Sequence, residues 1–440
     1  MPLKELTFDT FVAEVHNVCD ELPDYRKSSP NLKYSIKDSV LGAFSMFFNQ
    51  SPSFLSHQRA MQQAKGCNNA QSLFGITQIM SDNQARNNID PIAPDYFYPI
   101  FSNSFDLLGD AGHLDNYKFF DDCLLIPIDG TKFFRSSKIS CKNCSVSNLS
   151  NGKTSYSHKV LTPVVVAPDN NKVIPLEPEF VTPQDGATKQ DCELNAAKRW
   201  IERNSFLADQ KVIIMGDDLF SRSPFCKLLL EHGFHFILVC KPTSHKTLYQ
   251  ALDDLEQTGE ITSFSSRKWN GQFHELHTYR YANNLPIKQG DDALSVNWVE
   301  LTIIRTDTQE ITYKNSFVTD FIIDRINVQR IAEAGRARWK VENENNNVLK
   351  TKGYHLEHNY GHGDKFLANT LVTLNRLAFL AHTFLEFVDI KYKAVRSVLS
   401  VRKVFFNDLK TLTKYLFFDN WSQLINFMFE KLEIKPLSTG

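Results

Sequence analysis

The sequence predicts a multidomain α/β (α+β) fold: a mixed sheet with packed helices, a β-stranded insertion, and helical regions at both ends. Three patterns carry this expectation. From Leu124 onward, apolar runs with strand texture and amphipathic runs with helical spacing succeed one another as strand, strand, strand, helix, strand, helix, strand. Residues 258–323 then hold almost only strand-like runs. Both ends of the chain show apolar residues three and four apart, the spacing of one helix face.

In chain order, residues 1–115 read as helical. Phe8, Phe11, Val12 and Val15 follow helical spacing, as do Val40, Ala43, Phe44 and Phe47. Ser81 is placed to cap a short helix over 81–89, after another short helical stretch from Ala70 to Ile76. Such a pair could read DNA through Asn83, Gln84 and Arg86, or could equally form a plain helical cap. Residues 120–257 and 324–363 form the α/β core. Its strands are Leu124–Ile128, Ser155–Ala167, Lys172–Val181, Val212–Met215 and Phe236–Cys240, with helices over Cys192–Asn204 and Pro224–His232. The insertion occupies 258–323, and residues 364–440 are helical, apolar and aromatic.

Composition narrows the function classes. At 440 residues, with 42% hydrophobic and 22% charged side chains, the chain can bury several cores and has an ordinary globular balance. No stretch reads as a membrane span or as a signal peptide, and eight thinly spread cysteines fit a reducing cytosol rather than a disulfide scaffold. The net charge of −1 hides two basic segments. Residues 391–415 carry seven Lys/Arg against one acid, and 325–352 carry seven against three. Segments of that kind suit a phosphate backbone even in a neutral protein.

The chemistry concentrates in three acids. Asp129 ends the run Ile126-Pro-Ile-Asp129-Gly, and Asp217 ends Ile213-Ile-Met-Gly-Asp217. Glu342 lies four residues after Arg338 in Gly335-Arg-Ala-Arg-Trp-Lys-Val-Glu-Asn-Glu344, so both should share one helix face. Carboxylates delivered by separate strands and an adjacent helix suit two divalent ions, Mg²⁺ or Mn²⁺, that clamp the two oxygens of a phosphodiester exchange. Each acid has a structural alternative: a turn at Asp129-Gly130, a helix cap at Asp217, a surface ion pair at Glu342. All three falling by chance into this strand order is far less expected. Asp218 rivals Asp217, while Glu344 should face away from Glu342 by helix geometry.

With these residues in view, the chain resembles the RNase H-like catalytic core of DDE transposases of bacterial insertion sequences. The Arg338-Trp-Lys-Val-Glu342 run is similar to the signature of the branch named for its Tyr, Arg, Glu and Lys residues, which carries a β-stranded insertion before its glutamate. The resemblance covers roughly 120–363, from Ile128-Asp-Gly-Thr131 to Gly353-Tyr-His-Leu-Glu-His-Asn-Tyr-Gly-His-Gly363. It implies an enzyme of the bacterial nucleoid that acts as a homodimer on double-stranded DNA, cleaving at the terminal inverted repeats of an element and joining them to target DNA. Asp129, Asp217 and Glu342 would then be catalytic and hold the metal. Arg338, Lys350, Arg336 and Lys340 would contact DNA.

Two positions depart from the signature. Gly335 stands where it has tyrosine, and Leu349 where it has lysine; the lysine here is Lys350. In a regular helix a residue seven on lies about 20° from the glutamate's face, and one eight on about 80° away. A π-bulge between Asn343 and Asn347 would absorb the extra residue. Without one, Lys350 cannot do the family lysine's work.

A second metal expectation comes from spacing. Cys141-Lys-Asn-Cys144 and His355-Leu-Glu-His358 each place two ligands three apart, which predicts a structural Zn²⁺ site of Cys141, Cys144, His355 and His358, with His158, His362 and Cys192 as alternative ligands. Free thiols and packed histidines are the plain alternative. Two other functions compete with transposition: a metal-dependent nuclease that cuts without joining, and a domesticated DNA-binding protein that has lost catalysis.

Overall fold

The computed structural model describes residues 7–27, 32–149, 152–182 and 191–435; the outermost residues of both helical ends lie outside these. Thirteen strands are described: β1 Leu124–Pro127, β2 Gly130–Ser136, β3 Ser145–Asn148, β4 Thr154–Leu161, β5 Val164–Ala167, β6 Asn170–Pro175, β7 Glu179–Val181, β8 Val212–Gly216, β9 His235–Val239, β10 Thr262–Trp269, β11 His274–Pro286, β12 Ser295–Arg305 and β13 Ile311–Thr319. Nine of them form one mixed sheet in the order β10-β11-β12-β13-β9-β8-β1-β5-β6. A smaller sheet runs β2-β4-β3, with β7 also paired to β4.

The centre of the large sheet is parallel, β1 to β8 and β8 to β9, while β5 pairs antiparallel to β1 and β6 antiparallel to β5. Leu124–Ile126 and Val212–Met215 are buried throughout, as parallel strands covered on both faces require. Register pairs Leu124 with Val212 and Pro127 with Met215, and Ile128 N–H still donates to Met215 O at 2.8 Å. Carried two residues further, that register sets Asp129 level with Asp217.

The long strands read over 155–167 and 172–181 are each divided in two. Thr162-Pro163 separates β4 from β5, and a turn ending at Pro178 separates β6 from β7. Proline has no N–H to give a ladder, so pairing stops there and the chain steps from one sheet to the other. Periodicity does not reveal such a step, because both halves stay apolar. The β-rich reading of 258–323 holds, but these strands are no separate layer. β13 pairs antiparallel with β9 and extends the core sheet.

The helical ends share one bundle. Helix Leu367–Val388 is buried along most of its length and packs against helix Ile36–Phe48. It is long and apolar enough to cross a membrane, yet it serves as an interior helix, with 83% of its most apolar window buried. Phe8, Phe48 and Trp421 meet with ring centroids 4.8–4.9 Å apart. Asn69 Nδ2 donates to Thr413 O and Leu416 O at 2.7 and 2.8 Å, and its Oδ1 accepts from Phe418 N–H. Chain ends more than 300 residues apart thus close on the same core.

Candidate functional site

Asp129 follows β1 at the point where the chain turns from the large sheet into β2. Its carboxyl is pushed up to about 7, first by burial and then by Asp217, Glu193 and Glu342, with the Arg338 guanidinium opposing. The acids expected at 217 and 342 therefore lie close enough to act on Asp129, and Arg338 stands beside it. The three acids do not form a tight cluster; among the described residues, no three carboxylates are grouped closely enough to make a ready metal site.

Asp217 and Asp218 have different surroundings. The Asp217 carboxylate accepts the Leu219 N–H at 2.9 Å. Asp218 accepts the Lys241 N–H at 2.7 Å and the Ser244 hydroxyl through its other oxygen, with His245 Nε2 at 3.6 Å. Asp218 therefore ties the turn after β8 to the turn after β9, and Asp217 is the aspartate whose charge is felt at Asp129. The Glu344 side chain acts on Lys340 rather than on Asp129, as helix geometry requires.

The helix bearing Glu342 is not regular. Val328–Ala337 is α-helical, Val341–Asn346 is π-helical, and Asn347–Thr351 returns to α. The π-segment contains Glu342 and overlaps the bulge expected between Asn343 and Asn347. The segment also brings two buried asparagines to the site. Asn346 Nδ2 lies 3.5 Å from Asp129 Oδ2, at the outer limit of a hydrogen bond. Its Oδ1 accepts from Thr162 Oγ1 at 2.7 Å and from Asn345 Nδ2 at 3.0 Å. Asn345 Oδ1 in turn accepts from Arg376, 3.3 Å away on the central buried helix. Arg376 also donates to Pro163 O and Leu176 O, at the ends of β5 and β6. A chain of hydrogen bonds thus runs from the protein interior to Asp129.

Sequence reasoning missed Asn345, Asn346, Thr162, Arg376 and Glu193. Glu193 opens helix Glu193–Arg203 and pairs with Lys159 at 3.0 Å. A Cβ on Gly130 would lie 2.6 Å from the Glu193 carboxyl carbon, so glycine is what admits this fourth acid. The Asp129-Gly130 pair was a usable signal, but it named no partner.

The expected DNA contacts divide. Arg336 is exposed, with its guanidinium 5.0 Å from the Tyr313 ring centre. Lys350 is bound to Glu357 at 3.0 Å. Lys340 is a correction: it is 2% exposed and its ammonium donates to Asn170 O at 2.9 Å, so it fastens the helix to the β5–β6 turn and does not face a ligand. Ser81 caps its helix by accepting from Gln84 N–H. Of the side chains proposed to read DNA there, Asn83 is exposed, Gln84 bonds Asn88, and Arg86 pairs with Asp82 and covers Phe54.

The second metal expectation is corrected in half of its ligands. Cys141, Cys144, His158 and His362 offer four ligand atoms all within 4.8 Å of one another, a set that could hold a metal ion. His355 and His358 are elsewhere: His358 N–H closes a turn on His355 O, and the His358 ring packs on Tyr360. Cys192 is exposed at the start of its helix. Strand β4 carries His158 back beside the cysteine turn, a proximity across a sheet that linear spacing cannot show. Burial pushes the Cys144 thiol up to about 11 and the His158 imidazole down to about 4, so without a cation both are neutral. No known family model matches this chain, and no curated protein sequence matches it.

Proposed function

We propose that this protein is a DNA transposase of the DDE type, cutting phosphodiester bonds at element ends and joining the freed 3′-OH to target DNA. The observation that carries this reading is the approach of Asp217 and Glu342 to Asp129, from the end of an adjacent parallel strand and from one helix, around a carboxyl that burial first of all drives up to about 7. The strand order β6-β5-β1-β8-β9, antiparallel on one side of β1 and parallel on the other, agrees with an RNase H-like core. The insertion before Glu342 and the π-segment around it support the same branch.

A carboxyl that burial, and then the neighbouring acids, drive up to about 7 against the opposing Arg338 is a fit for divalent cations, with Asp129, Asp217 and Glu342 as the oxygen donors. When bound, two Mg²⁺ or Mn²⁺ ions would activate the attacking water or 3′-OH and stabilise the leaving oxygen. The protein's own groups do the rest. Asn346 and Thr162 orient Asp129, and Asp218 anchors the loop that presents Asp217. Arg338 offers a guanidinium to a non-bridging phosphate oxygen. Strand β2 leads away from Asp129 with Lys132 and Arg135 exposed, and with Arg336 it gives a basic margin for the duplex backbone. The protein would act as a homodimer on double-stranded DNA, one subunit per inverted repeat.

The test is a cleavage and strand-transfer assay with purified protein, Mg²⁺ and labelled DNA from both borders of the gene. Joined products are expected, and Asp129→Asn should bind DNA but not cut it. Cutting without joining would favour the nuclease reading, and normal cleavage by Asp129→Asn would overturn the site.

A further inference from the structure

We infer that Cys141, Cys144, His158 and His362 bind one Zn²⁺ as a closed tetrahedral Cys2His2 site that clasps the small sheet to the segment following the Glu342 helix. The argument is independent of the reaction at Asp129.

Four of the six separations match a common centre, and the whole set lies within 4.8 Å, so binding would draw His362 in toward the cysteines. With Zn–S near 2.3 Å and Zn–N near 2.0–2.1 Å, a tetrahedron has edges of about 3.8 Å between sulfurs, about 3.6 Å between sulfur and nitrogen, and about 3.3 Å between nitrogens. Here the two Sγ atoms are 3.6 Å apart. His158 Nε2 is 3.2 Å from Cys141 Sγ, 3.4 Å from Cys144 Sγ and 3.3 Å from His362 Nδ1. Hydrogen bonding alone does not account for this. An imidazole nitrogen has one proton or one lone pair in the ring plane, so it serves one partner well, not three at nearly equal range. Three neighbours around one nitrogen is what ligands to one ion look like.

The surroundings are also those of a metal turn. Cys144 N–H closes back on Cys141 O at 3.1 Å, and Cys141 N–H points at Cys144 Sγ at 3.4 Å, the kind of donor that stabilises a bound thiolate. Phe133 and Phe134 wall the histidines, with ring centres 5.5 Å from His158 and 4.0 Å from His362. On the outer side, a cleft lined by Ser140, Lys142, Gly361 and Asp364 opens onto Cys141 and His362 and gives an ion a way in. Two sulfurs and two nitrogens select Zn²⁺ over Mg²⁺ or Ca²⁺. Four protein ligands leave no open position, so the ion is structural and not a second catalytic centre.

The ligands also say what is joined. Cys141 and Cys144 lie in the turn before β3, and His158 in β4. His362 belongs to the irregular 352–366 segment that links the Glu342 helix to helix Leu367–Val388. One further bond crosses the same gap, from Asn143 Nδ2 to Lys365 O at 2.7 Å. Beyond it, the Asp90 carboxylate takes the N–H groups of Asp364, Lys365 and Leu367. The linker is thus held between the zinc clasp on one side and Asp90 on the other.

The test is metal content of the full-length protein by mass spectrometry, with Co²⁺ exchange read by visible absorption. We expect one zinc per chain and, with Co²⁺, the intense bands of a tetrahedral ion with thiolate charge transfer. His362→Ala should lose the metal, while His355→Ala/His358→Ala should keep it. Zinc should also slow amide exchange across 352–366. If the His362 variant does not fold, the Co²⁺ spectrum of the wild type still decides. Less than a tenth of an equivalent of metal after loading with ZnCl2, a Co²⁺ spectrum without thiolate bands, or loss of metal from the His355/His358 variant would each overturn the proposal.

Discussion

Replacing Asp129 by asparagine should stabilise the metal-free protein while abolishing cleavage, and the gain should depend on pH in a defined way. Folding carries the Asp129 carboxyl from an ordinary 3.8 to about 7. In that interval the folded state holds a proton that the unfolded chain releases. The stability contributed by the neutral acid is therefore complete below pH 3.8 and lost as pH rises through 7. At 1.36 kcal/mol per tenfold, the full gap costs the ionised form about 4 kcal/mol above pH 8, and about 1.6 kcal/mol of that is already lost at pH 5. Asparagine has nearly the same shape, keeps an acceptor for Asn346 and never ionises. Its advantage over aspartate should grow by about 2.5 kcal/mol between pH 5 and pH 8. For a chain of this size, melting as one unit, that is a shift in Tm of about 3 °C. Thermal melts of both proteins at the two pH values, in chelator, read it directly. Saturating Mg²⁺ should erase most of the difference by stabilising the wild type alone. A variant no more stable at pH 8 than at pH 5, relative to wild type, would refute the burial of Asp129 and the action of the neighbouring acids on it.

Other substitutions separate positioning from chemistry. Asn346→Ala should cut cleavage at least tenfold with DNA affinity unchanged, and should lower stability by about 1–3 kcal/mol because Thr162 and Asn345 lose their shared acceptor; unchanged turnover would remove Asn346 from the site. Asp217→Asn should lose activity at full stability, whereas Asp218→Ala should lose about 1–3 kcal/mol as Lys241 N–H and Ser244 lose their acceptor; denaturant melts and cleavage rates on both variants check this. Gly130→Ala should displace Glu193 and lower cleavage without changing the zinc content. Lys340→Ala should reduce stability and leave the salt dependence of DNA binding as it was, while Arg336→Ala should flatten that salt dependence by about one phosphate contact.

The residues that the sequence identified by itself are those whose signal is local. Apolar runs located β1, β8 and β9, because a strand buried on both faces must be apolar along its length. The acids at the ends of those runs were visible for the same reason, whereas the sequence left a π-bulge between Asn343 and Asn347 as one of two options, and the structure has a π-segment over Val341–Asn346. What the tertiary structure decided are pairings between distant segments. Pro163 and Pro178 split two apolar stretches between sheets, a change of direction that leaves hydropathy untouched. Asp217 was separated from Asp218 only by the turn after β9, which claims both oxygens of the second residue. Lys340 looked like one more cation in a basic segment until the β5–β6 turn closed over it. His158 and His362, 204 residues apart, meet across a sheet edge, while the evenly spaced His355 and His358 do not join them. Spacing along a chain reports which side chains share one element. Which elements then face one another depends on how strands pair and on what covers them, and both the Asn346 network and the Cys2His2 cluster are made of such meetings.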